Sequence, residues 1–158
     1  MTFEGAVAGF AEQAGALAEG GADLIWIETM SDMNEVRAAF EGARLACNLP
    51  IVATFSFDTH GRTMMGVRGQ EVAKTLKEWG AAAVGANCGN NLPDTERVIT
   101  EMHAVDPNLI LISKANAGIP QWLNGQQAYN GTPEIMAQHA LRTRSYGAKL
   151  IGACCGST

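Results

Sequence analysis

The chain is poor in several things at once, and each shortage removes a class of function. Aromatic residues make up 6% of its 158 positions and charged residues 17%, with 11 Lys and Arg against 16 Asp and Glu for a net charge of −5. The basic residues are scattered, so no nucleic-acid partner is expected. No apolar run approaches the ~20 residues of a membrane span, and no membrane partner is expected either. The opening stretch "MTFEGAVAGFAEQAG" lacks the basic start and apolar centre of a secretory signal, and cysteine occurs only 4 times. That combination reads as a cytoplasmic setting, where thiols serve metals or catalysis more than crosslinks. A Gly-rich loop opening a helix after the first strand, as a phosphate site needs, is missing; "ETMSDMNE" stands there instead.

What is present is a repeat. Hydrophobic residues are 47% of the chain, enough for one domain, expected over residues 1–158, with a sizeable core. The segments "ADLIWIET", "PIVATFSF", "AAAVGANC", "LILISKANAG" and "KLIGACC" are short, apolar and rich in Val or Ile, and read as buried parallel strands. Amphipathic helices lie between them. Val36, Phe40 and Ala43 share a face behind an Asp32–Glu35 capping box, and Val72, Leu76 and Trp79 share another. Val98, Met102 and Val105 follow Asp94, read as an N-cap; Thr132 and Pro133 open the last helix. "EGGAD", "EWGAAA" and "SYGAK" place a helix-stopping Gly just before a strand. Strand starts recur about every 30 residues, the length of a βα unit.

The fold class is therefore α/β, built of parallel βα repeats. Two architectures fit five such strands. One is a flavodoxin-like open sheet, natural at this length. The other is part of a (β/α)8 barrel, which typically takes ~250 residues. In either, ligands meet the carboxyl ends of the strands, and polar or reactive residues gather there: Glu28 and Thr29, Ser56 and Asp58, Asn87 and Cys88, Asn116, and the adjacent pair Cys154 and Cys155.

Two neighbouring cysteines followed by a glycine need a common target. Zinc accepts thiolates in a tetrahedron, and a catalytic zinc keeps three protein ligands and one open position. Gly156 supplies the backbone freedom for Cys154 and Cys155 to share a metal, with Cys88 as a third ligand. Buried, inert thiols remain the alternative at this level. A zinc held by three thiolates is electron-rich and a poor activator of water. Its useful chemistry is to receive a substrate thiol, lower its pKa and present it as a nucleophile, which points to alkyl transfer to sulfur.

The motifs "WIETMSD", "TFSFDTHGRTMMG", "GANCG", "KANAGIP", "YNGTPEIMA" and "GACCGST" resemble, in order and spacing, the homocysteine S-methyltransferase family. The resemblance covers essentially the whole chain. It implies a zinc-dependent partial TIM barrel, about strands four to eight, with the first three βα units and the final helix absent. It implies methyl transfer to homocysteine to form methionine, from betaine, S-methylmethionine or methylcobalamin; "GANCG" with "KANAGIP" looks most like the betaine enzymes. Cys88, Cys154 and Cys155 match the family's zinc ligands, Glu28 the carboxylate that holds the homocysteine ammonium, and Asn116 an Asn near or on the zinc when substrate sulfur is absent. Thr29 stands where some betaine enzymes carry a Tyr. The absent part carries a second acidic group for the ammonium, the carboxylate-binding loop and most of the donor pocket. A five-strand piece would expose sheet edges and apolar helix faces, so a partner chain, a homo-oligomer or a truncated, catalytically incomplete zinc-binding half-barrel is the rival expectation.

The remaining candidates read more plainly. Cys47 is a core thiol, His60 and Arg62 belong to a solvated turn, and His103 and His139 lie on helix faces. Asn87 is expected to point away from Cys88 by strand alternation and to brace the site. Trp122 and Tyr129 anchor a loop near Asn116, or offer a cation–π surface to a quaternary ammonium donor.

Overall fold

The computed structural model describes residues 1–123 and 125–157. Five helices alternate with the strands: α1 (Phe3–Glu19), α2 (Met33–Ala46), α3 (Gly69–Glu78), α4 (Leu92–Val105) and α5 (Pro133–Ser145). One sheet holds β1 (Ile25–Met30), β2 (Ile51–Phe55), β3 (Ala83–Cys88), β4 (Leu111–Ala115) and β7 (Ala148–Ala153), in that spatial order. Every neighbouring pair is parallel. A small antiparallel hairpin, β5 (Gln121–Leu123) with β6 (Gln126–Ala128), interrupts the path from β4 to α5. Its three-residue strands are too short for a periodicity signal, and the segment reads as loop from sequence. The hairpin's Asn124 and the terminal Thr158 lie outside the described residues.

The helices start where short polar side chains accept orphan amides. Thr2 caps α1 through the Gly5 N–H at 3.1 Å, Asp32 caps α2 through Asn34 and Glu35, and Thr132 caps α5 through Ile135. For α4 the cap is Asn91 rather than Asp94. The Asn91 carbonyl oxygen accepts from the Asp94 N–H at 2.8 Å, and its amide donates to the Asp94 carboxylate at 2.8 Å. Pro93 already sits in the first turn, so Asp94 is the third helical residue and answers the cap instead of making it.

Sequential strand order decides the architecture. Right-handed crossovers between neighbouring parallel strands put every helix on the same face of the sheet. A flavodoxin-like sheet reverses its order to carry helices on both faces. No reversal occurs here, so the fold is the partial-barrel alternative: a five-stranded arc with β1 and β7 as open edges. The main core lies between the convex face and the helices, where Ile27, Phe55, Val84 and Leu111 meet Phe40, Leu76 and Met102. The concave face has only a small cluster of Val52, Ala83 and Ile112. Around it Trp26 and Leu150, in register with Val52 and Ile112, remain 37% and 45% exposed. Among the described residues, no helix is long and apolar enough to cross a membrane.

β3 and β4 approach closely at Gly85. A Cβ on Gly85 would overlap the carbonyl oxygen of Ile112, a backbone atom that cannot yield without opening the ladder. Gly85→Ala is therefore expected to destabilise the domain by roughly 3 kcal/mol, measurable as a lowered urea midpoint with an unchanged slope. Gly9→Ala, in the interior of α1 with nothing within 4 Å of its Cβ, is the control expected to raise the midpoint slightly, by up to about 1 kcal/mol of helix propensity.

Candidate metal centre

Parallel register brings the carboxyl ends of β3, β4 and β7 to one level: Cys88 pairs with Ala115, and Ala115 with Ala153. Cys154 follows directly, its N–H bonded to the Ala115 carbonyl at 3.0 Å. Alternation alone would send Asn87 and Cys88 to opposite faces. It fails at this strand end because Cys88 has φ +55°, in the left-handed region that side chains rarely adopt. The turn swings its thiol back over the end of β4. Cys88 Sγ then lies 3.1 Å from Cys154 Sγ, while the Asn87 amide reaches the same sulfur at 3.9 Å. Asn87 thus points into the site rather than away from it.

The third thiol arrives by a turn. The Cys155 carbonyl accepts from Ala117 N–H at 2.9 Å, and the Ser157 N–H closes onto the Cys154 carbonyl at 3.3 Å. Gly156, at φ +79°, lies against the Tyr129 ring so closely that a Cβ would overlap it. Cys155 Sγ stands 4.0 Å from each of the other two sulfurs, and all three thiols are unbonded. A tetrahedral site with Zn–S bonds of ~2.3 Å has S···S edges of about 3.8 Å. Two edges already match, and the Cys88–Cys154 edge needs to open by about 0.7 Å to reach that length. The donor set fits a thiolate-seeking metal ion.

Polar side chains lock this arrangement. Asn116 spans the gap between the two cysteine-bearing turns. Its Oδ1 accepts from the Cys155 N–H at 2.9 Å and its Nδ2 donates to the Gly89 carbonyl at 3.0 Å. Both ends of its amide are therefore engaged by backbone. Asn87, 1% exposed, takes the Thr29 N–H at 3.0 Å and donates to Thr29 Oγ1 at 2.6 Å, holding a second left-handed residue, Thr29 at φ +61°. Ser56 accepts from Gly89 N–H and donates to Asp58 at 2.8 Å. Glu28 lies on the concave side of β1, ion-paired with Lys114 of β4, whose ammonium also stands 4.8 Å from the centre of the Trp26 ring. Lys114 was not among the sequence candidates, although a lysine inside the apolar run "LILISKA" was the available signal.

The other candidates are placed away from the thiols. His139 is buried on the helix side, between Glu96 at 2.8 Å and Ser113 at 3.5 Å, with Arg142 sharing the same carboxylate. His103 packs against Gly147, and Cys47 ends α2 against the core. Trp122 is exposed on the hairpin, and His60 sits in the turn closed by Thr59 and Arg62.

The homocysteine S-methyltransferase family profile matches residues 1–158. The chain belongs to that family. Among solved structures it is similar to the homocysteine methyltransferase MmuM from Escherichia coli in its apo form, with a TM-score of 0.79 at 22% identity over 100% of this chain and 54% of that one. The metallated form of MmuM aligns with a TM-score of 0.75 at 24% identity, over 96% of this chain and 48% of that one. This family member thus spans about half the length of those structures, and at such identity the likeness is one of fold.

The thiols of this family member are not equivalent. Burial, then the hydrogen bond to Cys154 and the charge of that sulfur, push Cys88 from 9.0 up to about 12. Burial also works against ionisation of Cys154, but the hydrogen bonds it accepts from Cys88, the Cys155 backbone and Asn87 outweigh it and lower its pKa. In the metal-free chain Cys154 therefore ionises before Cys88. Near pH ~8, iodoacetamide is expected to label Cys154 well before Cys88. Peptide mass spectrometry across a pH series reads this, and Cys88 labelling should still be rising above pH ~10.

Proposed function

We propose that this chain supplies the zinc-binding, thiol-activating part of a homocysteine S-methyltransferase that makes methionine. The observation carrying the proposal is the convergence of three free thiols from two strand ends, each within 4.0 Å of the other two. When bound, zinc would offer one open position at which a substrate thiol loses its proton at neutral pH.

The chain's own residues do the rest. Cys88, Cys154 and Cys155 would hold the ion, and Cys88 gives up its proton as the ion enters. Asn116 keeps the two cysteine turns at a fixed separation, and Asn87 holds the β1 end against β3. Glu28 takes the substrate ammonium after exchanging it for that of Lys114. Methyl transfer forms a sulfur–carbon bond on homocysteine as the donor–methyl bond breaks, its electron pair staying with the donor. Betaine is the donor we favour, on the "GANCG" and "KANAGIP" motifs; S-methylmethionine and methylcobalamin are the others.

The test is elemental analysis of the purified chain with homocysteine titrated into the loaded form. About one zinc per chain is expected, with affinity lost more than about a hundredfold in Cys88→Ala. Cobalt substituted for zinc should show a changed sulfur-to-metal absorption on adding homocysteine. Because Cys88 must lose its proton, apparent metal affinity should rise by about tenfold per pH unit for each proton displaced. Zinc bound with no spectral response to homocysteine would instead favour a structural half-barrel, and folded protein that binds no zinc would end the proposal.

A further inference from the structure

Of the three thiols, that of Cys155 is held least by the sheet. Cys88 pairs within the β3–β4 ladder and Cys154 follows β7 directly, and both are half-buried. Cys155 stands one step further out and is exposed. Its N–H and carbonyl are taken by Asn116 Oδ1 and the Ala117 N–H, each at 2.9 Å. The turn it belongs to closes on a longer bond, from the Ser157 N–H to the Cys154 carbonyl at 3.3 Å, and runs through Gly156, a residue with wide backbone freedom.

The Tyr129 ring meets that turn. Its Cγ, Cδ1 and Cε1 fill the space that a Cβ on Gly156 would need, so one side of the ring lies directly on the glycine next to Cys155. Tyr129 follows β6 and is itself anchored. Two residues on, the Gly131 N–H donates to the Ala117 carbonyl at 2.7 Å, and a Cβ on Gly131 would overlap the Ala117 backbone. Ala117, fully buried, therefore carries both the return of the hairpin and the carbonyl of Cys155. Ring and thiol share one support. The phenol oxygen accepts from the Gln127 amide at 3.3 Å, so the ring rather than the hydroxyl is what touches the turn.

We propose that Tyr129 is a positioning residue for the metal site, its ring holding the Cys154–Gly156 turn in the conformation that presents the Cys155 thiol to the other two. This rests on the reading above, in which the three thiols hold a zinc ion. With the ring in place the third ligand is organised before the ion arrives. Without it the turn samples other conformations around Gly156, and the ion must order Cys155 as it binds. Ordering the backbone of one residue lowers affinity by about tenfold.

The experiment compares the full chain with Tyr129→Ala, Tyr129→Phe and Leu123→Ala, the last removing a 57% exposed side chain from the same hairpin. Zinc affinity is read by competition with a chromophoric chelator, and amide exchange by mass spectrometry of the metal-free chain. Tyr129→Ala is expected to weaken zinc about tenfold. It should also speed exchange in the peptide carrying Cys155 by about the same factor, with other strand peptides unchanged and protection regained once zinc is bound. Tyr129→Phe keeps the ring and should stay within about twofold of wild type in both readouts, as should Leu123→Ala. Cobalt-saturated Tyr129→Ala should retain the wild-type sulfur-to-metal absorption, since Cys155 is costlier to organise but still binds. Wild-type affinity and exchange in Tyr129→Ala would overturn the positioning role and leave the metal site standing. Faster exchange across every strand, or an equal loss in Leu123→Ala, would also overturn it, because the effect would then be one of general stability. A wild-type chain that binds no zinc would overturn the metal reading and this one with it.

Discussion

The structure depends on the register of β4 between β3 and β7. Parallel pairing is evenly spaced, so once Ala115 is level with both Cys88 and Ala153, three strand ends finish at one height. Shifting β4 by one residue would exchange its faces, sending Lys114 into the helix layer and Ser113 onto the concave side. The same shift would separate Asn116 from the turns it joins. Cys88 and Cys154 come from different strands, so their sulfurs meet only because the ladder between them is in this register.

The site then carries local strain that its polar side chains offset. A left-handed residue with a side chain costs about 1 kcal/mol, and both Thr29 and Cys88 are such residues. Each is tied down by hydrogen bonds that contribute about 1 kcal/mol apiece: one in each direction between Asn87 and Thr29, and one from the Asn116 N–H to the Cys88 carbonyl at 3.3 Å. The balance is near neutral, which suits a site whose job is to hold geometry. Asn116 does this from the middle strand, bonding the backbone on either side. With both ends of its amide so engaged, it ties the two cysteine-bearing turns together.

The two faces of the arc do different work. The convex face is covered by helices, with the Ser113, His139, Glu96 and Arg142 network bonding polar atoms between β4, α4 and α5. The concave face is thinly covered and holds the charged pair, the indole and the thiols. That division follows from sequential strand order, which sends every crossover to one side. In this family member, chemistry-bearing side chains are thereby collected on the side that has no helices.

Much of this was legible in the sequence, and for a clear reason. Strand and helix identity, helix-stopping glycines and the grouping of Glu28, Cys88, Asn116 and the Cys154–Cys155 pair at strand ends are properties of local pattern, and βα periodicity carries them along the chain. The cap of α4 was misplaced by one turn because Asn91 and Asp94 are both good caps, and only the position of Pro93 inside the helix separates them. Other features were set by tertiary structure. Sequential order, which removes the flavodoxin-like alternative, depends on which strands pair. The meeting of the Cys88 thiol with Asn87 on one side of the sheet depends on a left-handed Cys88 that strand periodicity does not foresee. The Glu28–Lys114 pair joins residues 86 apart across two intervening strands. Sequence determines what each segment can be, since propensity and periodicity act over a few residues; which charges and thiols meet is decided by the curvature and register of the assembled sheet.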